Sequence, residues 1–173
     1  FSGYGQSSSN AFFEIYNAEY YDVSLDDFKW AVSTDGASGS AEQVFDFPAS
    51  TMLAPGATFV VVAEGSSQAL LDLADLVLPA SLFTFDGNDA IAIIKGDINS
   101  NIVMDTVGDF GAAPDGGAWD VCGTPGATQN SVIFRKPDIE VGTRDWDLSR
   151  GDDAFVCQWL VLGADEGLSE VGV

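Results

Sequence analysis

Four short runs of β-branched and aromatic residues, each closed by turn formers, constrain this chain more than anything else in it. They are Phe12–Tyr16 (FFEIY), Phe59–Ala63 (FVVVA), Ala90–Lys95 (AIAIIK) and Ser131–Arg135 (SVIFR). Runs of this length bounded by Asn, Gly, Pro or Asp read as β-strands. With little helix between them, they favour an all-β sandwich over an α/β enzyme fold. Lys29–Val32, Val44–Phe47, Ile102–Val107 and Phe155–Leu162 extend the strand set, with Ala90–Lys95 and Ile102–Val107 forming a hairpin. In Phe12–Tyr16, the alternation sets Phe13 and Ile15 on a buried face and Phe12, Glu14 and Tyr16 on a partly polar one.

Leu53-Ala54-Pro55-Gly56 reads as a tight turn, since proline fixes φ at one central position and glycine supplies φ > 0 at the next. One short helix is expected over Ser66–Leu78, capped by Ser66 or Ser67 and stopped by Pro79. Its stripe is Leu70, Leu71, Ala74 and Leu78. The Gly/Ser-rich start, Phe1–Asn10, reads as the tail of a first strand that is truncated, and Gly163–Val173 as a polar tail ending in a weak strand. No repeat and no interior linker divides the chain, so residues 1–173 form a single domain.

Charge is the next constraint: 27 acidic residues against 6 basic ones give a net charge of −21. The acids are dispersed singly and in pairs, which describes a folded acidic surface and not a tail. A field of that sign disfavours nucleic acid and anionic lipid as partners and suits high ionic strength. No apolar run reaches the ~18 residues needed to span a bilayer, so no membrane insertion is expected.

Histidine is absent altogether. That removes the side chain most used for proton transfer near neutral pH, and with it histidine-activated serine or cysteine nucleophiles. The two cysteines, Cys122 and Cys157, are too few for a four-thiolate zinc site. Either they pair or both are buried free thiols. A disulfide closing a loop of about 35 residues would stabilise the fold by roughly 4 kcal/mol on the chain-entropy account and imply an oxidising compartment.

The ordered series FFEIYN (Phe12–Asn17), LAPGATFVVV (Leu53–Val62), FDGNDAIAIIK (Phe85–Lys95), VMDTVGDFG (Val103–Gly111) and WDVCG (Trp119–Gly123) resembles the lamin-tail domain. VIFRKPDIEVGTRDW (Val132–Trp146) and FVCQWLVL (Phe155–Leu162) continue it. The resemblance implies an immunoglobulin-like β-sandwich of the secreted bacterial and algal type, in which Cys122 and Cys157 occupy positions that pair. It also implies a non-catalytic module that mediates attachment or assembly, or one that sits beside nucleases or phosphoesterases. Against the family pattern, the first strand looks cut short before Phe1, leaving an open sheet edge that a partner strand could fill.

Several clusters carry side chains capable of chemistry. Asp97, Asn99, Asn101 and Asp105 place oxygen ligands at positions 1, 3, 5 and 9 of a calcium-loop pattern. Ile102 and Gly108 stand where an EF-hand needs glycine and glutamate, so only a looser calcium site is considered beside a plain hairpin turn. Asp86, Asn88 and Asp89 read as a turn whose side chains bond its own backbone. Asp26–Asp27 and Asp152–Asp153 are adjacent pairs that diverge on a strand and do not form a catalytic dyad. Arg135, Lys136, Arg144 and Arg150 gather most of the cations, and pairing with surplus acids is favoured over an anion site. Tyr16, Tyr20, Tyr21 and Trp30, close to one another in sequence, are the candidate interface, whereas Trp119, Trp146 and Trp159 are assigned to the core.

The chain thus reads as a non-enzymatic, extracellular or cell-surface module that binds other protein chains of an assembly, or glycans. Calcium is the one cofactor that these oxygen-rich turns would suit. The alternatives are an accessory domain of a secreted nuclease or phosphoesterase, and a carbohydrate-binding module.

Overall fold

All four founding runs become strands, with boundaries that fall within a residue of those expected. The computed structural model describes residues 1–36, 41, 43–83, 85–96, 102–164 and 166–173. Among the described residues, twelve strands are numbered in chain order: β1 Gly3–Gln6, β2 Ala11–Tyr16, β3 Val23–Ser24, β4 Phe28–Ser33, β5 Gln43–Asp46, β6 Met52–Leu53, β7 Thr58–Ala63, β8 Leu76–Leu78, β9 Ala90–Lys95, β10 Ile102–Val107, β11 Ser131–Arg135 and β12 Trp159–Gly163. A six-stranded sheet, in the order β12-β11-β1-β2-β7-β8, faces a four-stranded one, in the order β10-β9-β4-β5. β3 and β6 form a small ribbon. This is the β-sandwich expected.

The core lies between the two sheets. Tyr4, Phe13, Phe59, Val61 and Ile133 point into it from the six-stranded side, and Trp30, Val32, Ile91 and Ile93 from the four-stranded side. A smaller apolar cluster of Phe12, Val60, Val62, Leu70, Val132 and Val171 covers the outer face of the six-stranded sheet. Phe12 and Glu14, expected on a partly polar face, are therefore both buried. Glu14 Oε1 accepts from Ser2 Oγ at 2.6 Å and its Oε2 from the Gly172 amide at 2.6 Å. These bonds satisfy the carboxylate beneath the C-terminal turn. That turn is a 3-10 segment, Leu168–Glu170, and not the weak strand expected there.

Three corrections concern the elements. First, β1 does not lie at an edge: it sits between β2 and β11, with Gly3 opposite Glu14 on one side and Phe134 on the other. The open edge expected at this strand does not exist. β1 carries glycine where its neighbours are bulky, because a Cβ at Gly5 would stand 2.5 Å from Phe12 Cε1.

Second, the helix expected over Ser66–Leu78 is a single turn, α1 Gln68–Leu71, followed by β8. Asp75 breaks it: its backbone N–H donates to Val60 O at 2.9 Å, and its Oδ2 accepts from the Val60 amide at 2.8 Å. The chain is thereby drawn alongside β7 as a parallel strand. Neither serine caps α1 with its side chain; Ser66 Oγ accepts from the Ala11 amide instead. Third, a second short helix, α2 Trp146–Arg150, begins at Asp145, whose Oδ1 accepts from the Leu148 amide at 3.0 Å. At five residues it is too short to show a period in sequence.

Cys122 and Cys157 form a disulfide, their Cα atoms 5.1 Å apart. It ties the loop before β12 to the Trp119–Gly123 segment. Trp119, Trp146 and Trp159 pack edge to face beside it, as the core assignment anticipated.

Candidate interaction surface

The end of the sandwich where β2 finishes gathers the most exposed aromatic surface around two cavities. It is organised by Asn17, a buried side chain that sequence reading passed over. Asn17 Nδ2 donates to Tyr21 O at 2.9 Å and to Leu53 O at 2.8 Å, while Oδ1 accepts from the Glu19 amide at 2.9 Å. Its backbone N–H donates to Ala57 O, and its carbonyl accepts from the Gly56 amide. Gly56, at φ 75°, closes the tight turn expected at Leu53–Gly56. Every polar group of one asparagine thus holds the 18–22 corner against the 54–57 turn.

That corner presents Tyr20 (90 % exposed) and Tyr21 (51 %) with their rings edge to face, 5.2 Å apart and 87° between planes. Tyr16 is half-exposed beside them. Trp30, grouped with these residues by sequence proximity, is not part of the surface. It is fully buried, stacked on Phe45 at 4.0 Å and packed against Phe13. The reason is strand alternation: Trp30 lies on the inward face of β4, which is paired on both sides.

Next to the tyrosines opens a cavity of about 270 Å³, walled by Ile15, Leu25, Phe28, Leu53 and Ile93 and rimmed by Ala18, Glu19, Glu140 and Val141. A second cavity, about 350 Å³, adjoins it through Tyr16, Ala18, Asp105 and Glu140 and is more polar, with Arg135 and Lys136 in its wall.

Between the cavities, Asp105 and Arg135 join the two sheets. A bulge at Met104 shifts the register of β10 and turns Asp105 inward. Its Oδ2 accepts from Arg135 Nη2 at 2.5 Å and from the Phe1 amino nitrogen at 2.6 Å, and its Oδ1 from the Thr106 and Thr143 amides at 3.0 Å each. Burial pushes the Asp105 carboxyl upward, yet the amino group and the guanidinium outweigh it and hold it below the usual carboxylate range. Arg135 also donates through Nη1 to Ser149 Oγ and Gln158 Oε1.

Lys136 Nζ donates to the Ala154 and Cys157 carbonyls, and Arg150 pairs with Asp147. These three cations of the basic cluster are therefore engaged within the domain. Of the calcium candidates, Asp97, Asn99 and Asn101 lie outside the described residues, and Asp105 faces the interior as above. Among the described residues no group of three or more acidic or cysteine side chains is placed to share a metal ion.

Asp86, Asn88 and Asp89 behave as a self-bonded turn: Asp89 accepts from the Asp35 and Asp86 amides, and Asn88 Nδ2 donates to Asp35 Oδ1. Burial raises the Asp89 pKa. The acidic pairs also serve turns, with Asp26 Oδ1 accepting from the Ser50 amide and Asp153 Oδ1 from the Phe155 and Val156 amides. Phe155, expected in a strand, is 96 % exposed at the tip of that braced turn, because β12 begins only at Trp159.

The sequence model described as Lamin Tail Domain matches residues 2–110, more than half of the chain. The chain belongs to the lamin-tail-domain family. Its two facing sheets are the immunoglobulin-like sandwich of that family. The lamin-tail match takes in β1 to β10 and so covers the tyrosine corner and most of the apolar cavity wall, whereas Arg135 and the disulfide lie beyond it. No curated protein and no solved structure matches the chain.

Proposed function

We propose that this lamin-tail domain is a non-catalytic attachment module of an extracellular or cell-surface protein assembly, and that it binds its partner through the end bearing Tyr16, Tyr20 and Tyr21. The observation that carries the reading is the Asn17-braced corner. Two tyrosines stand exposed on a backbone fixed by five hydrogen bonds, so little entropy remains to be lost when a partner covers them. Aromatic side chains held this way are the kind that anchor interfaces.

A chain without histidine, whose buried carboxylates Glu14, Asp89 and Asp105 are each bonded within the fold, supports attachment over catalysis. The disulfide supports an oxidising compartment. The near-perpendicular tyrosine rings offer no coplanar platform for a sugar, which favours protein over glycan as the partner.

The test compares the secreted protein with its Tyr20→Ser/Tyr21→Ser variant in the source cells, measuring the fraction retained on the cell surface or matrix after washing. Retention that drops at least tenfold with the fold intact supports attachment. Equal retention, or hydrolysis of plasmid DNA or p-nitrophenyl phosphate by the purified protein, overturns it.

A further inference from the structure

The apolar cavity beside the tyrosine corner narrows the chemistry of the partner, resting on the attachment reading above. Its walls, Ile15, Leu25, Phe28, Leu53 and Ile93, come from both sheets and the loops that join them. At about 270 Å³ it lies just below the ~300–1,000 Å³ range of cavities that enclose a whole drug-sized ligand. Its size suits one large apolar side chain.

The charged side chains that line it are all acidic. Glu19 and Glu140 are exposed at the mouth, and neither carboxylate has an ion-pair partner among the described residues. The two basic side chains of the adjoining cavity are committed elsewhere: Arg135 to Asp105, Ser149 and Gln158, and Lys136 to two backbone carbonyls. A second copy of the chain would bring another −21 charges to this mouth, and an acidic partner would meet the same repulsion. The half-exposed ring of Tyr16, which lines both cavities, is in addition attractive to ammonium and guanidinium groups.

We propose that this cavity is the seat of one large apolar side chain carried on a basic segment of a partner protein, with Glu19 and Glu140 receiving the flanking Lys or Arg. The adjoining polar cavity, which shares Tyr16, Ala18 and Glu140 with the first, gives the main chain of that segment a path away from the anchor.

Methyl NMR of the disulfide-intact protein tests this with three blocked pentapeptides at millimolar concentration: Lys-Lys-Phe-Lys-Lys, Lys-Lys-Ser-Lys-Lys and Glu-Glu-Phe-Glu-Glu. The first shifts the methyl signals of Ile15, Leu25, Ile93 and Met104, and the other two bind at least tenfold more weakly. Ala18→Trp, which plugs the mouth at an exposed position, and the double variant Glu19→Lys/Glu140→Lys each weaken the first peptide at least tenfold while melting as cooperatively as the parent. Silent cavity methyls, equal binding of the serine or acidic peptide, or dimerisation abolished by Ala18→Trp each overturn the assignment. If Tyr20→Ser/Tyr21→Ser loses surface retention while the methyls stay silent, attachment stands and the basic-anchor assignment falls. If the methyls respond and retention is unchanged, the attachment reading is the one that fails.

Discussion

The guanidinium of Arg135 lies over the indole of Trp159, 3.9 Å from the ring centroid, while its Nη2 donates to Asp105 on the opposite sheet. One side chain from β11 therefore contacts a core aromatic of β12 and clamps the edge strand β10.

Removing that clamp leaves a buried carboxylate short of its counter-charge. Arg135→Met is expected to destabilise the domain by about 3–5 kcal/mol, the range for breaking a buried pair from one side. Arg135→Lys rescues part of the loss, because an ammonium cannot reproduce the stacked fork. Urea denaturation reads both, as a lower midpoint at unchanged slope. Since Asp105 has a depressed folded pKa, its contribution is fully present above the ordinary aspartate value and is lost as pH falls through the folded one. Asp105→Asn should therefore remove stability at pH 7 and cost progressively less toward pH 2.

Glu14 predicts the opposite slope. Burial raises its pKa above the ordinary 4.5, against the lowering effect of the Ser2 and Gly172 bonds. The folded state then holds the proton more tightly than the unfolded chain. That stabilisation is complete below the unfolded value and lost as pH rises through the folded one. Glu14→Gln keeps an acceptor for Gly172 and carries no charge. It should melt above the parent at pH 8 and with it at pH 3.5, as followed by circular dichroism.

Cys122→Ala/Cys157→Ala should cost about 2–5 kcal/mol. Guanidinium titrations of the variant, and of the parent with and without reductant, check the value. An unchanged midpoint would mean that Trp119, Trp146 and Trp159 hold this region without the covalent link.

Salt should stabilise the fold. With 27 acids against 6 basic residues, repulsion among surface carboxylates is long-ranged at 0.1 M salt, where the Debye length is ~10 Å, and contracts to ~3 Å at 1 M. A rise in Tm of about 5 °C between those conditions would correspond to a stabilisation of roughly 1–2 kcal/mol for a domain of this size. A variant with eight exposed acids amidated to Asn or Gln should show a flatter salt response, measured by scanning calorimetry.

The parts of the fold legible in the sequence were those in which local pattern and burial agree. Ala90–Lys95 and Ser131–Arg135 are apolar, β-branched and paired on both sides, so the chain itself marks them as strands. The interior position of β1 is not legible because Gly3 and Gly5 carry no sign of burial; their role is to make room for Phe12, Val132 and Phe134 on neighbouring strands. Leu76–Leu78 was misread because its apolar stripe fits a helix equally well, and only the bonds between Asp75 and Val60 decide against it. At the candidate surface, Tyr20 and Tyr21 were visible as turn aromatics. Asn17, Glu140 and the cavity wall were not, because each gains its meaning from segments distant in the chain.

The placement of β1 bears on where the domain could be cut. Its two neighbours are β2, a few residues away, and β11, beyond residue 130. A fragment ending at residue 110, where the family match stops, would lack β11 and β12 and leave one side of β1 without hydrogen-bond partners in the middle of what had been a continuous sheet. Shortened versions of this protein should retain the chain through β12, and a ribosome must have delivered most of it before the first strand can be locked in place.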